Sequence, residues 1–242
     1  MQSWRERLGG QTQALPSLDI HPDKTALLLI DMQNYAANPE SDEGTLSRKR
    51  SPEASHEYFN RVQDIVIPNQ QSLLEFWRDR GMRVIYLTAG AFLADGQDMT
   101  PRRRRRDADT IKAIGRDEFR YPGLFDYKIV DPLAPRDDEL VIPKNSLGAF
   151  SSSPIDQLLR NLGITGLVIG GVVTEACVET TAREAADRGY DSILVEDACA
   201  SNMGMEQHEA TLLSFARFFG EVATTAEVID RFQADASESL AG

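Results

Sequence analysis

The feature that most narrows the fold is a set of short apolar runs with no polar alternation. Thr25–Ile30 reads TALLLI, Arg83–Thr88 RVIYLT, Gly166–Gly170 GLVIG and Ser192–Val195 SILV. A strand with one wet face alternates, whereas an unbroken apolar run suits a parallel strand covered on both faces. Glu139–Ile142 (ELVI) and the weaker Glu221–Thr224 are further candidate strands. Helical periodicity falls between them, near Tyr58–Arg80, Pro154–Leu162, Glu175–Arg188 and Glu206–Phe218. Gly81, Gly163 and Gly189 follow three of these, where a C-terminal stop is usual. The β-α-β-α order predicts an α/β fold of three α-β-α layers around a central, mostly parallel, Rossmann-like sheet. With no internal repeat and no dividing linker, the expectation is a single domain over residues 1–242, of which 1–22 form an N-terminal extension.

Two stretches depart from this pattern. Residues 38–53 are polar and read as a long loop. Residues 100–109 hold five consecutive arginines, Arg102 to Arg106, in a chain whose net charge is −12. A charge run of this kind reads first as a solvated loop or a subunit contact. The sharper alternative is an electrostatic gate for an anionic substrate. The overall acidity argues against general nucleic-acid binding, which runs on Lys and Arg neutralising phosphates. No segment approaches the roughly 18 apolar residues of a membrane span, and the charged start Met1-Gln-Ser-Trp-Arg-Glu-Arg-Leu lacks a signal-peptide core. A cytoplasmic protein is expected, with Cys177 and Cys199 reduced.

Three strand ends carry chemistry. Asp31 follows TALLLI, Lys144 follows ELVIP, and Cys177 lies just beyond the strand that ends in Gly170-Gly171. In open α/β sheets, ligands sit outside the carboxyl ends of the strands. Thr174 is a candidate N-cap that would put Cys177 near the third helical position, where free N–H groups and the helix dipole favour a thiolate. The same N–H groups suit the oxyanion of a tetrahedral intermediate. Taken singly, Cys177 reads as a small buried residue, Asp31 as a turn residue and Lys144 as a surface charge. It is their convergence on one sheet edge that points to nucleophilic catalysis.

Three blocks, Asp31-Met-Gln-Asn34, Pro143-Lys-Asn-Ser-x-Gly-Ala-Phe150 and Gly171-Val-Val-Thr-Glu-Ala-Cys-Val-Glu-Thr-Thr181, resemble the isochorismatase-like cysteine hydrolases in order and spacing, over about residues 25–232. The resemblance implies catalytic roles for Asp31, Lys144 and Cys177, an oxyanion hole at the N–H groups of Val173 and Cys177, and a cis bond between Val172 and Val173. It implies acyl transfer through a thioester, with Asp31 moving the thiol proton to the leaving nitrogen and Lys144 lowering the cysteine pKa. It also implies a dimer or tetramer with sites near interfaces.

The family includes nicotinamidases, isochorismatases and hydrolases of ureides. Nicotinamidases resemble one another in an Asp-x-His metal cluster. This chain has only His21, His56 and His208, none in that pattern, so no metal or other cofactor is expected. Isochorismatase chemistry needs no thiol, so Cys177 argues against it. The ureidoacrylate type is resembled through Phe125-Asp-Tyr-Lys-Ile-Val-Asp131, Cys177-Val-Glu-Thr-Thr181 and Phe218-Phe-Gly-Glu-Val222. Departures are the order of Tyr35 and Ala36 after Asn34, and Leu147 in place of an aromatic. Biuret hydrolases are resembled through Arg183-Glu-Ala-x-Asp-Arg-Gly-Tyr190, without their substrate-contacting glutamine near Phe219. Triuret and other linear ureides stay open. The expected partner is thus a small ureide or amide, with no nucleic acid or membrane involved.

Asn34, Tyr35 and Asn145 are the candidate substrate-binding residues, because amide and phenol groups match the N–H and C=O groups of a urea. Phe150, Phe218 and Phe219 read as core, and Glu179, Arg183 and Glu184 as helix pairing or subunit contacts. A dinucleotide-binding oxidoreductase would need a Gly-x-Gly-x-x-Gly turn and a serine hydrolase a Gly-x-Ser-x-Gly elbow; neither occurs. A nicotinamidase-like amide hydrolase and a non-catalytic metabolite binder remain as alternatives. Rapid alkylation of Cys177 at neutral pH is the expected sign of the enzyme.

Overall fold

The computed structural model describes residues 3–9 and 17–239. Among them, six strands form one sheet: β1 (Thr25–Ile30), β2 (Arg83–Ala89), β3 (Leu140–Lys144), β4 (Gly166–Val172), β5 (Asp191–Ala200) and β6 (Glu221–Ala223). Every pairing is parallel, and the order is β3-β2-β1-β4-β5-β6. The winding therefore reverses between β1 and β4, the crevice where a doubly wound sheet places its ligand.

The apolar strand runs mean what the alternation argument requires. All six residues of β1 are buried, Leu27 and Leu29 in one core and Ala26, Leu28 and Ile30 in the other. The helices are α1 (Trp4–Gly9), α2 (Asn34–Ala37), α3 (Asp42–Arg50), α4 (Pro52–Arg61), α5 (Ile67–Asp79), α6 (Pro101–Ala113), α7 (Ile155–Asn161), α8 (Glu179–Asp187), α9 (Met205–Phe218) and α10 (Thr225–Ser239). Phe59 of α4, Leu73 and Trp77 of α5 and Phe232 of α10 fill the first core. Ile155 of α7, Ala182 of α8 and Phe215 of α9 fill the second. The three-layer architecture follows from this two-sided burial.

Both stretches expected as loops are helical. Residues 42–50 form α3, whose N-cap Ser41 accepts from the Gly44 amide at 3.0 Å. The arginine run lies in α6, started by Pro101 at the first helical position and paired through Arg103 and Asp107 one turn apart. Composition misled because charge says nothing against a helix when caps and i,i+4 partners are present. The helix expected from Tyr58 begins earlier, at Pro52, and runs through a wide turn at Val62–Val66 into α5. Phe218, expected in the core, is 63% exposed, while Phe150 is buried.

Strand β4 extends past its expected end at Gly170 through Gly171 and Val172. A Cβ on Gly171 (φ 139°) would stand 2.2 Å from the Ile30 carbonyl oxygen and 2.8 Å from its Cα. Only glycine lets β4 approach β1 this closely, one residue before Asp31.

Candidate active site

Asp31 is the first residue beyond β1, held in the left-handed region (φ 55°) while its N–H bonds Leu87 O at 2.9 Å. Asp tolerates that conformation, which is costly for most side chains and tends to persist where the surroundings fix it. Lys144 closes β3 and lies inside the strand rather than after it. Both side chains are fully buried, and Lys144 Nζ donates to Asp31 Oδ2 at 2.9 Å and to the Ser146 carbonyl at 3.2 Å. Burial by itself would lower the Lys144 pKa, but the charge and hydrogen bond of Asp31 outweigh it and hold the ammonium above its ordinary value. Asp31 Oδ1 is buried and makes no hydrogen bond, which leaves an acceptor open beside the pair.

Cys177 is 7% exposed, on the wide helical turn Thr174–Val178 that leads from β4 into α8. The structure corrects two expectations here. The N-cap is Val173, not Thr174, and no side chain caps this helix. The thiol is also not a resting thiolate: burial first, then the Asp31 charge, push it up to about 11, against the opposing pull of Lys144 and Arg103. The sequence offers all of these groups, but not their balance: burial and the Asp31 charge outweigh the Lys144 cation. The Val172–Val173 peptide bond is cis. The N–H groups of Ala176 and Val178 both turn back onto the Val173 carbonyl, at 3.0 and 3.4 Å.

Thr174 has a different task. Its Oγ1 lies 2.9 Å from Nδ1 of His208, whose Nε2 lies 3.3 Å from an Arg61 Nη2. A guanidinium only donates, so Nε2 accepts and the ring proton sits on Nδ1, facing Thr174. Burial and the Arg61 cation lower the His208 pKa to about 3, so the ring is neutral. Arg61 also donates to the carbonyls of Cys199 and Glu196 at 3.0 and 2.9 Å, tying α4 and β5 to the turn that carries Cys177. Neither Arg61 nor His208 stands out in the sequence, because Arg61 meets its partners across 135 to 147 residues and His208 meets Thr174 across 34. Cys199 is fully buried, and burial pushes its thiol up to about 12.

Of the expected substrate contacts, Tyr35 lines a cavity of about 340 Å³ together with Glu43, Tyr58, Phe59, Val173 and Asn202. Arg120 stacks 3.5 Å from the Tyr35 ring centroid and pairs with Glu43. Asn34 is buried, with its Nδ2 on the Phe125 carbonyl at 3.0 Å and its Oδ1 accepting from Asn38. Asn145 Nδ2 bonds the Asp98 carbonyl at 2.8 Å, which fixes the approach to α6 beside Lys144. Gln33, missed in the sequence, is fully buried and joins the Asp31 loop to β2: its Oε1 accepts from Ala89 N at 2.6 Å, and its Nε2 donates to Tyr127 O at 2.7 Å. Glu179 and Arg183 pair within α8 at 2.5 Å.

A doubly wound parallel sheet with a carboxylate, an ammonium and a thiol at its switch point defines the class, a cysteine hydrolase of the isochorismatase type. The chain belongs to the Isochorismatase family, whose domain matches residues 25–227. It is 27% identical over 231 residues to ureidoacrylate amidohydrolase RutB of Acinetobacter baylyi, covering 90% of this chain and 87% of the relative. It is 30% identical over 220 residues to that of Caulobacter vibrioides, covering 87% and 92%. Among solved structures it resembles a cysteine hydrolase from Pseudomonas syringae pv. phaseolicola, at TM-score 0.74 and 27% identity over 93% of this chain and all of that one. An N-carbamoylsarcosine amidase from Thermoplasma acidophilum shares the fold, at TM-score 0.60 and 24% identity over 84% of this chain and 96% of that one.

Proposed function

We propose that the protein is an amidohydrolase that cleaves a C–N bond of a small ureide or carbamoyl-type amide through a thioester intermediate. The ureidoacrylate type stands first among its substrates, with biuret and triuret as the other ureide candidates. The observation that carries this reading is the buried set Asp31, Lys144 and Cys177, joined to a cavity of small-molecule size through Val173 and through Tyr35, on which the Asp31 and Cys177 charges act. The identity of about 30% to relatives named ureidoacrylate amidohydrolases supports the substrate class.

Because the thiol is pushed up to about 11, it attacks from the protonated state with a base at hand. Asp31 takes the proton through its open Oδ1 as sulfur bonds to the carbonyl carbon, and Lys144 anchors the other carboxylate oxygen. The N–H groups of Val173 and Cys177 hold the oxyanion. Asp31 then returns the proton to the leaving nitrogen, ammonia or an amine departs, and water, deprotonated by Asp31, releases the acyl group. Glu175, whose two carboxylate oxygens are buried without hydrogen-bond partners and whose charge acts on Tyr58, is a ready acceptor for a ureide N–H.

The test is ammonia release from ureidoacrylate, biuret, triuret, N-carbamoylsarcosine, allophanate and nicotinamide, with Cys177→Ser alongside. Turnover of one ureide and a dead variant are expected. Turnover of nicotinamide alone, or an active Cys177→Ser protein, refutes the reading.

A further inference from the structure

Among the described residues, Arg103 is a buried cation that the mechanism above does not use. Of the five arginines at the start of α6, only Arg103 is buried, at 8% exposure. Its Nη1 is out of contact with solvent and has no hydrogen-bond partner. Its Nε reaches Asp107 Oδ2 at 3.5 Å, the outer limit of a hydrogen bond. That carboxylate is shared, since Arg106 Nε lies 3.1 Å from Oδ1 and Arg120 Nη2 3.9 Å from Oδ2. Arg120 has Glu43 as its own partner, but Arg103 has no second carboxylate among the described residues. A desolvated guanidinium with an open edge is the kind of group that a native fold retains for a ligand.

Its position says which ligand. The Asn145–Asp98 hydrogen bonds hold the start of α6 against the residue that follows Lys144. The Arg103 charge acts on Cys177, on Lys144 and on Tyr35 of the cavity wall. A planar two-pronged cation whose field reaches the nucleophile matches a carboxylate carried by the substrate. We propose that Arg103 binds the carboxylate of a ureido acid, so that the enzyme selects ureides bearing an acid group close to the scissile carbonyl. This rests on the ureide reading of the site and narrows it to anionic members of that class.

The experiment compares 3-ureidoacrylate with its uncharged primary amide in the wild type, Arg103→Gln and Arg103→Lys, with thermal unfolding of each as a fold control. Loss of a charge-assisted contact predicts a KM for the acid raised about 10- to 100-fold in Arg103→Gln. The preference for acid over amide should fall by a similar factor. Arg103→Lys, which keeps the charge and loses the fork, should fall between the two. It also serves as the test if the glutamine variant fails to fold. An unchanged KM in folded variants overturns the proposal. A wild type that hydrolyses biuret but rejects ureidoacrylate overturns it while leaving the ureide reading intact. If no ureide turns over, that reading fails, and calorimetry of 3-ureidoacrylate with the Cys177→Ser protein decides the role of Arg103. Binding weakened at least 10-fold by Arg103→Gln supports it, and no binding, or binding insensitive to the substitution, refutes it.

Discussion

Removing the Asp31 charge should make Cys177 more reactive toward an alkylating agent while abolishing turnover. The thiol stands at about 11 against an ordinary 9.0, a difference worth about 3 kcal/mol at about 1.36 kcal/mol per pH unit. At pH 7 the thiolate fraction is then roughly 10⁻⁴, against roughly 10⁻² for an ordinary cysteine. Asp31→Asn removes the second-largest cause of that rise and leaves the Lys144 ammonium unpaired beside the sulfur, so the pKa falls. The assay is iodoacetamide labelling of Cys177 from pH 6 to 11.5, followed by intact-protein mass spectrometry, with Cys199 as the internal reference. In the wild type the rate should climb to the top of that range. In Asp31→Asn the midpoint should drop, with labelling at pH 8 at least about 10-fold faster if the midpoint falls by about one pH unit. A wild-type midpoint at or below 8 would refute the reasoning, because it would mean a stabilised thiolate that needs no base. Slow labelling at neutral pH is thus compatible with an active enzyme, contrary to the expectation from sequence, and cannot distinguish it from a binding protein.

Lys144→Met should cost about 3–5 kcal/mol in urea unfolding, because Asp31 is left buried and unpaired. The double variant Asp31→Leu with Lys144→Met should recover stability but not activity, and equal stability of the single and double variants would contradict the ion-pair account. Gly171→Ala should lower stability by about 3 kcal/mol or more, since its Cβ would meet the Ile30 backbone at φ 139°; an unchanged melting temperature would disprove the close approach. The His208 pKa is depressed from 6.5 to about 3, so the unfolded chain binds a proton that the folded protein refuses. Its stability contribution is complete above 6.5 and is lost as pH falls toward 3, by about 3 kcal/mol at pH 4.5. His208→Gln should flatten the difference in unfolding free energy between pH 7 and 4.5, and an unaltered difference would exclude that origin.

Strand positions were legible because burial on both faces removes polar alternation, a pattern written into consecutive residues such as Thr25–Ile30. Asp31, Lys144 and Cys177 could be placed at one sheet edge because a parallel sheet sends every strand's carboxyl end the same way. The helices α3 and α6 were hidden by their charge, and the extension of β4 by Gly171, which looks like a turn residue yet serves close packing.

The sequence alone determined the layered parallel fold, the three catalytic candidates and their shared edge, because periodicity and strand ends are local properties of the chain. Tertiary structure alone decided the protonation of Cys177 and Lys144 and the neighbours of all three. Whether a thiol is pushed up or down depends on burial and on charges brought from residues 31, 103 and 144, distances that no local pattern encodes. The same holds for Arg103, one of five like residues in the sequence and the only one of the five that folding buries with an open edge.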